Sequence, residues 1–299
     1  MPPIRALNLY IHLMNEATSS KNIAIVCNSL AGVGRAVGLA GKISQELFSK
    51  KITHSLFNGN WPAEFNGFTD VWIVGGDGTL NYFINQYPNI KLPLVIFKGG
   101  TGNDVQWLLY SEKSFEEQLE VALTASPKPI DAGKCNDRFF INGVGIGFEG
   151  AVAESVAGKK KKPGKTSFMI AILKKIFFYS SRKYSVRSKE VNKGGRYLMI
   201  SVTNGRRAGG GFHIAPIAVA DDGLLDAVLI KAISPIKRLR WLPVIEKGKH
   251  MNLSFIQHFQ TNKVIIESDE LIQSHLDGEV YKSKTLEIEV LPKQFLFRY

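Results

Sequence analysis

The chain has 299 residues, a length that suits two domains, each large enough to bury a core without disulfide or metal staples. Hydrophobic residues make up 44% of the chain and charged residues 21%, as in ordinary globular proteins, and no apolar run approaches the roughly 20 residues needed to span a bilayer. The net charge of +12 lies entirely in residues 158–196, where thirteen basic residues accompany one acid, so an anionic surface is indicated there.

Two features of the sequence bear on the cellular location of the protein. The first twenty residues carry no small-residue cleavage site behind a basic head, which disfavours secretion. Cys27 and Cys135 occur in strand-like contexts without metal-ligand spacing and are expected to be small buried hydrophobes in a reducing compartment. We therefore expect a cytoplasmic protein.

The first half of the chain alternates strand and helix patterns. Strand patterns are "NIAIVCN", "THSLF", "VWIV" and "LPLVIF", and helical spacing occurs at 34–48, 79–85, 103–109 and 115–123. This alternation predicts a Rossmann-like parallel sheet covered on both faces. We assign residues 22–128 to this α/β nucleotide-binding domain and 1–21 to an N-terminal extension.

The pattern changes after the proline-punctuated stretch "ASPKP". Seven strand patterns follow: "PIDAGKCN", "RFFINGVGIG", "KYSVRS", "RYLMISVTNG", "LLDAVLIK", "KVIIES" and "TLEIEV". A single helical insert, "SFMIAILKKIFFYSS", interrupts them. Residues 129–299 are therefore predicted to form a mostly antiparallel β-sandwich domain.

Two neighbouring strands of the predicted parallel sheet end in similar turns. "VWIV" runs into "GGDGT" and "LPLVIF" runs into "KGGTGND", each just before a helix. Glycines at such a strand end let the backbone approach a phosphate, and the helix N-terminus offers unpaired N–H groups. Taken alone, "GGDGT" favours a plain strand-to-helix turn with Asp77 or Thr79 as N-cap. The repetition favours a shared phosphate cleft, although no P-loop motif is present.

Five blocks of the sequence resemble the soluble diacylglycerol kinase and sphingosine kinase family of lipid kinases, in its bacterial branch. They occur in the family's order between about residues 22 and 292. The blocks are "GGDGTLN", "GGTGND", "IDAGKCNDRFFINGVGIGFEG", "GGGFHIAPIAVADDGLLDAVLI" and "HLDGEV". The resemblance implies an ATP- and Mg²⁺-dependent transfer of phosphate to a lipid hydroxyl, on an NAD kinase/diacylglycerol kinase-like fold.

The resemblance also implies which residues contact the nucleotide. The phosphates of ATP would lie against two turns and the loop after the first strand. These residues are Gly75, Gly76, Asp77, Gly78, Thr79, Leu80, Asn81, Gly100, Thr101, Gly102, Asn28 and Ser29.

Metal and base roles follow from the same resemblance. A structural magnesium site would use the Asp222 carboxylate with the backbone carbonyls of Val219 and Leu224, all of them oxygen ligands. A plain hairpin turn at Asp-Gly fits this stretch too. An acidic cluster would engage the catalytic magnesium, and its members would be Asp77, Asp104 and Asp131.

The general base would come from the "HLDGEV" block. Both Asp277 and Glu279 match the family's acids there, and the sequence does not choose between them. Asp77 is expected to serve the transfer step and not the fold. His213 and His275, beside these blocks, are expected to be packed or surface residues.

The expected partners are a lipid substrate and an anionic membrane surface. Residues 158–196 combine the basic excess with an apolar helix, so we expect peripheral membrane contact there, or a role for the apolar residues in lining an acyl-chain cleft. Nucleic acid is not expected, because no recognised module or aromatic interleaving occurs. A homodimer is left open. The alternatives are a kinase of a soluble alcohol such as NAD, and a catalytically weak lipid- or nucleotide-binding regulator.

Overall fold

The computed structural model of the chain describes residues 21–29, 34–157 and 165–299. Most of the predicted N-terminal extension, together with the lysine run at 158–164, lies outside the described residues.

The first part of the chain forms a parallel four-stranded segment of sheet. Its strands are β1 (Asn22–Cys27), β2 (Thr53–Asn58), β3 (Asp70–Gly75) and β4 (Leu94–Lys98). They stand in the order β4-β3-β1-β2, and each neighbouring pair is parallel. Every residue of β3 is buried, as expected for a parallel strand covered on both faces.

Four helices accompany these strands. They are α1 (Arg35–Ser49), α2 (Asp77–Gln86), α3 (Asp104–Tyr110) and α4 (Phe115–Thr124). The helices α2 and α3 begin directly after the turns that end β3 and β4, so both helix N-termini lie at the same edge of the sheet.

The second part of the chain is mostly antiparallel. Its strands are β5 (Pro127–Cys135), β6 (Arg138–Phe140), β7 (Gly143–Gly147), β8 (Arg182–Ser188), β9 (Asn192–Thr203), β10 (Leu225–Lys231), β11 (Ile256–Thr261), β12 (Lys263–Leu276) and β13 (Glu279–Arg298). Its helices are α5 (Phe148–Val156), α6 (Lys165–Phe178) and α7 (Pro235–Glu246).

The long strand β13 joins the two parts. It pairs with β12 and β5 and, near its end, Phe297 pairs with Leu94 of β4, so the described strands form one continuous sheet. Beside this junction the Arg298 guanidinium contacts the fully buried Asp70 carboxylate, which Lys21 also approaches at 3.6 Å. The shared sheet fixes the β12–β13 hairpin relative to the glycine turns.

Two helices, α5 and α7, and one strand, β11, of the second part were not predicted. The expectation of a single helical insert is therefore wrong: α5 and α7 join α6 in covering the sheet. The helix α5 is short and starts within a glycine-rich stretch, and α7 contains Pro243 and exposes Ile236 and Leu239, so neither has a clear buried stripe.

The three helices enclose a third hydrophobic core, separate from those of the parallel and antiparallel parts. Val152 of α5, Ile172 and Ile176 of α6, Ile245 of α7 and Met199 of β9 belong to it. Among the described residues, no helix has the length and apolar character needed to cross a bilayer.

Candidate active site

The two glycine turns lie side by side at the carboxyl ends of β3 and β4. The Gly99 N–H donates to the Gly75 carbonyl at 2.8 Å. A Cβ on Gly76 would lie only 2.9 Å from Gly100 Cα, so a side chain there would push the turns apart. The sequence requires glycines here because two backbones meet at this edge.

Asp77 connects the first turn to the helix that follows the second. Its carboxylate accepts hydrogen bonds from the N–H groups of Asp104 and Val105, each at 3.1 Å, and so caps α3. The expectation that Asp77 serves the transfer step and not the fold is therefore wrong in its second half. The carboxylate both holds α3 and faces the cleft.

Burial, together with the nearby carboxylates of Asp104 and Asp277, raises the pKa of Asp77 to about 7, although the two backbone hydrogen bonds oppose this shift. Asp77 thus has two other acidic side chains near it at this end of the cleft.

In the second glycine turn, fewer backbone N–H groups are free to bind a phosphate than the sequence suggests. The Gly100 N–H donates to Asn103 Oδ1 at 2.9 Å, and the α3 N-terminus is already capped by Asp77. Thr101 is exposed, and Gly100 and Gly102 line the cleft. The N-terminus of α2, at Asp77 and Gly78, is thus the better placed anion-binding end of the two.

Three residues that were predicted to contact the nucleotide phosphates make hydrogen bonds within the protein. The N–H groups of Thr79 and Leu80 donate to the Gly76 carbonyl, and both side chains are buried. The Asn81 amide donates to the Phe139 carbonyl at 3.0 Å and to Asp277 at 3.1 Å. Asn81 thus links α2 to the second part of the chain.

In the loop after β1, Asn28 lines the cleft and Ser29 is exposed.

Asp277 is a structural anchor. Its buried carboxylate accepts hydrogen bonds from the N–H groups of Ile141, Asn142 and Gly143, each at 2.9 Å, besides the Asn81 amide. Burial raises the pKa of Asp277, and these four donors lower it again. With both oxygens engaged, Asp277 is poorly suited to collect a proton from a substrate.

Glu279, the first residue of β13, has the opposite environment. It is exposed, lines the cleft, and its Oε1 lies so close to Gly78 that a Cβ there would collide with it. The hairpin Asp277-Gly278 has positive φ at both residues, and this tight turn projects Glu279 toward the first glycine turn. Of the two acids that the sequence left open, the geometry favours Glu279 as base.

Asp104 is paired with a cation of the chain itself. Its Oδ1 accepts from Arg207 Nε at 2.9 Å, and its Oδ2 accepts from the Gly210 N–H at 2.8 Å. The Arg207 guanidinium also lies over the Trp107 ring, 4.4 Å from its centroid. Sequence analysis missed Arg207; its position two residues before the block that starts with "GGGF" is the only signal that pointed to it.

The predicted acidic cluster of Asp77, Asp104 and Asp131 does not form. Asp131 is fully buried at another place, where it accepts from the N–H groups of Gly223 and Lys293, each at 2.7 Å. Over the ranges that the structure describes, no group of three acidic, histidine or cysteine side chains could hold a metal ion. The prediction failed because Asp131, although close to the motif blocks in sequence, braces the turn at 220–223.

That turn is the predicted structural metal site. Asp222 Oδ1 accepts from the Leu224 N–H at 3.0 Å and Oδ2 accepts from the Gln260 amide at 3.3 Å, while Val219 is exposed. These bonds form a turn at Asp222-Gly223, but no strand directly precedes it, because residues 204–224 connect β9 to β10, so the hairpin alternative is wrong. The metal interpretation stays a prediction.

The site opens into a large cleft of about 1210 Å³. One end contains the glycine turns and Glu279, and the other is apolar and lies within the third core, between α5, α6 and α7. The apolar end is lined by Val152, Val156, Phe168, Ile172, Leu198, Phe212 and Leu242.

Two titratable residues that line the cleft were not predicted to do so from the sequence. Glu149, in the first turn of α5, accepts from the Ser201 hydroxyl at 2.6 Å, and burial raises its pKa to about 7. His275, expected to be a packed or surface residue, lines the cleft as well, and burial lowers its pKa to about 4. The signal for Glu149 was an acid two residues after the buried strand "GVGIG".

Two family models match the chain. The family described as "Diacylglycerol kinase catalytic domain" matches residues 22–135, and "YegS C-terminal NAD kinase beta sandwich-like domain" matches 142–297.

Among curated proteins, a "Probable lipid kinase YegS-like" of Shewanella frigidimarina is 32% identical over 76% of this chain and 75% of its own length. A protein of the same description from Chromohalobacter salexigens is 28% identical over 71% of this chain and 70% of its own length.

A solved structure described as a "putative diacylglycerol kinase" of Bacillus anthracis has a similar fold, with a TM-score of 0.75 and 23% identity. The alignment covers 94% of this chain and 97% of that one.

The contrast between the two acids of the hairpin predicts different effects on stability. In Asp277→Asn an amide group replaces an acceptor oxygen and leaves buried N–H donors unpaired, which should cost about 2 to 5 kcal/mol. Glu279→Gln, at an exposed position, should change the free energy of unfolding by less than about 0.5 kcal/mol. Urea unfolding of both variants measures this, and equal stabilities would contradict the assignment of Asp277 as the anchor.

Proposed function

This chain belongs to the family of YegS-like lipid kinases, and from that premise we propose that it transfers the γ-phosphate of ATP to the hydroxyl of a lipid alcohol. Lipid kinases are phosphotransferases with an alcohol group as acceptor. The proposal has three parts: the phosphate donor is ATP, the reaction requires Mg²⁺, and the acceptor is a lipid alcohol.

One observation carries it: Glu279 stands over the first glycine turn, at the polar end of a cleft whose other end is apolar. A lipid alcohol has the same two-ended character. Its acyl chains would occupy the apolar end, and its hydroxyl would then lie near Glu279. A soluble alcohol such as NAD has no group that requires the apolar end, so the lipid is the better supported acceptor.

The glycine turns would bind the nucleotide phosphates. Gly75, Gly76 and Gly78 leave the backbone uncovered, and the first N–H groups of α2 have no intrahelical acceptor. Gly100, Thr101 and Gly102 line the same cleft, as does Asn28, and they would contact the nucleotide with the exposed Ser29 that follows Asn28 in the chain. Phosphoryl transfer depends mainly on such positioning and on charge neutralisation.

The residues at this end fit a magnesium ion. Burial, with repulsion from Asp104 and Asp277, raises the pKa of Asp77, so a cation beside Asp77 would stabilise its ionised form. Asp77 would hold the ion, and Asp104, already paired with Arg207, would contribute its charge from behind. Bound there, magnesium would neutralise the phosphate oxygens.

A second, structural magnesium at Val219, Asp222 and Leu224 also belongs to the proposal, because their oxygens lie on one tight turn.

Glu279 acts as the general base and accepts the proton of the lipid hydroxyl as its oxygen attacks the γ-phosphate. Asp277 is a positioning residue, since its four hydrogen bonds fix the turn from which Glu279 projects.

Contact with an anionic membrane is part of the same proposal. The helices α6 and α7 both contribute residues to the apolar end and also expose large apolar side chains, since Phe178 is 85% exposed and Ile236 is 78% exposed. Exposed cations lie on the same two helices, among them Lys174, Lys237 and Arg240. A surface that combines exposed apolar side chains with cations fits a bilayer with anionic headgroups. This surface lies partly in the basic segment 158–196 and extends it with α7.

We expect Glu279→Gln to lose about 10²- to 10⁴-fold in turnover while it still binds ATP, because the amide cannot accept the proton. The assay is transfer of labelled γ-phosphate into the lipid fraction. Glu287→Gln, a second exposed acid of β13 and distant in sequence from the hairpin, is the matched control and should keep full activity. A Glu279→Gln variant that keeps more than half of the wild-type turnover would refute the assignment.

The membrane surface is tested by placing an acid on each exposed apolar position. The double variant Phe178→Glu/Ile236→Glu should bind vesicles containing anionic lipid at least about tenfold more weakly, since it loses apolar burial and gains repulsion. Phe48→Glu on α1, where the side chain is 80% exposed, is the control. Co-sedimentation measures the binding, and an equal loss in the control would contradict the assignment of this surface as the membrane contact.

A further inference from the structure

Glu149 and His275 face the cleft without serving the transfer step described above. Glu149 belongs to α5, whose Val152 and Val156 line the apolar end, whereas His275 belongs to the same hairpin as Glu279. The two residues therefore stand between the reacting end and the apolar end. The polar headgroup of a bound lipid would lie at this junction.

Glu149 offers an acceptor that the protein does not use. Its Oε2 accepts from the Ser201 hydroxyl, and within the described residues no donor reaches its Oε1. No cation of the described residues compensates its charge, and burial is what raises its pKa. Glu149 is partly exposed and lines the cleft, so a ligand bound there can reach its unused oxygen.

His275 offers a donor beside it. Its Nδ1 accepts from the Gly278 N–H at 3.2 Å, which leaves the proton of the neutral ring on Nε2. This Nε2 and Glu149 Oε2 both approach Gly145 so closely that a Cβ on Gly145 would collide with each of them. Gly145 therefore makes room for the pair, and no acceptor for Nε2 is found among the described residues.

One acceptor and one donor in the same place match a hydroxyl group, which can donate to one and accept from the other. We propose that Glu149 and His275 form a headgroup subsite for a second hydroxyl, so that the preferred acceptor is a lipid alcohol with at least two free hydroxyls. This inference rests on the proposed function. A diacylglycerol, whose other oxygens are ester acceptors only, would leave Glu149 Oε1 without a donor whenever the carboxyl is ionised.

The test compares two lipids that differ in one hydroxyl. Monooleoylglycerol has two free hydroxyls, and 2-hydroxyethyl oleate has the same chain with only one. We expect the wild-type kcat/KM to be at least about tenfold higher for the diol, because a site built for a hydroxyl discriminates against an analogue that lacks it. Glu149→Leu should remove this preference by slowing the diol and should leave the mono-alcohol within about threefold.

Glu154→Gln is the matched control, since Glu154 lies on the same helix and contacts Lys282 and Gln273 instead of the cleft. It should keep the preference. Equal rates of the wild type on both lipids, or an equal loss on both lipids in Glu149→Leu, would overturn the subsite.

Binding without ATP separates this inference from the proposed function. Calorimetric titration with each lipid in mixed micelles should show tighter binding of the diol to the wild type and no difference for Glu149→Leu. If neither lipid is phosphorylated, the proposed function fails, while the binding comparison still decides the subsite. A thermal melt of each variant confirms that the comparison is made on folded protein.

Discussion

The buried Asp277 carboxylate is the interaction on which the arrangement of the site depends. It accepts hydrogen bonds from α2 through Asn81 and from three successive N–H groups at 141–143. These donors come from both parts of the chain and converge on a turn of positive φ. Because the turn is held in this way, Glu279 emerges two residues later over Gly78. The same carboxylate thus joins the two parts and aims the proposed base.

The cleft is a consequence of how the two parts share one sheet. The strand β13 starts at Glu279, beside the glycine turns, and ends in contact with β4 of the parallel segment. The helices α5, α6 and α7 then cover the opposite side and leave an apolar space between them. The result is a cavity whose polar end suits phosphates and whose apolar end suits acyl chains. Glu149 and His275 occupy the transition between these environments.

Much of this could be predicted from the sequence. Runs such as "VWIV" are apolar throughout because both faces of a parallel strand are buried, and the glycine turns mark the strand ends. The sequence did not predict which partners each acid has. Asp77 caps α3, Asp104 pairs with Arg207 and Asp131 braces a turn 92 residues away. These contacts join distant segments, so only the tertiary structure reveals them. The distinction between Asp277 and Glu279 depends on burial, which two neighbouring acids in a sequence do not disclose.

The most direct test of the account is the transfer of label from γ-labelled ATP by the full chain, with Mg²⁺ present, to a panel of lipid alcohols in mixed micelles and to NAD. The account predicts that label enters the organic-extractable fraction with one or more of the lipids and that NAD acquires none. Phosphorylation of NAD alone, or no transfer to any lipid by a folded protein that binds ATP, would contradict it.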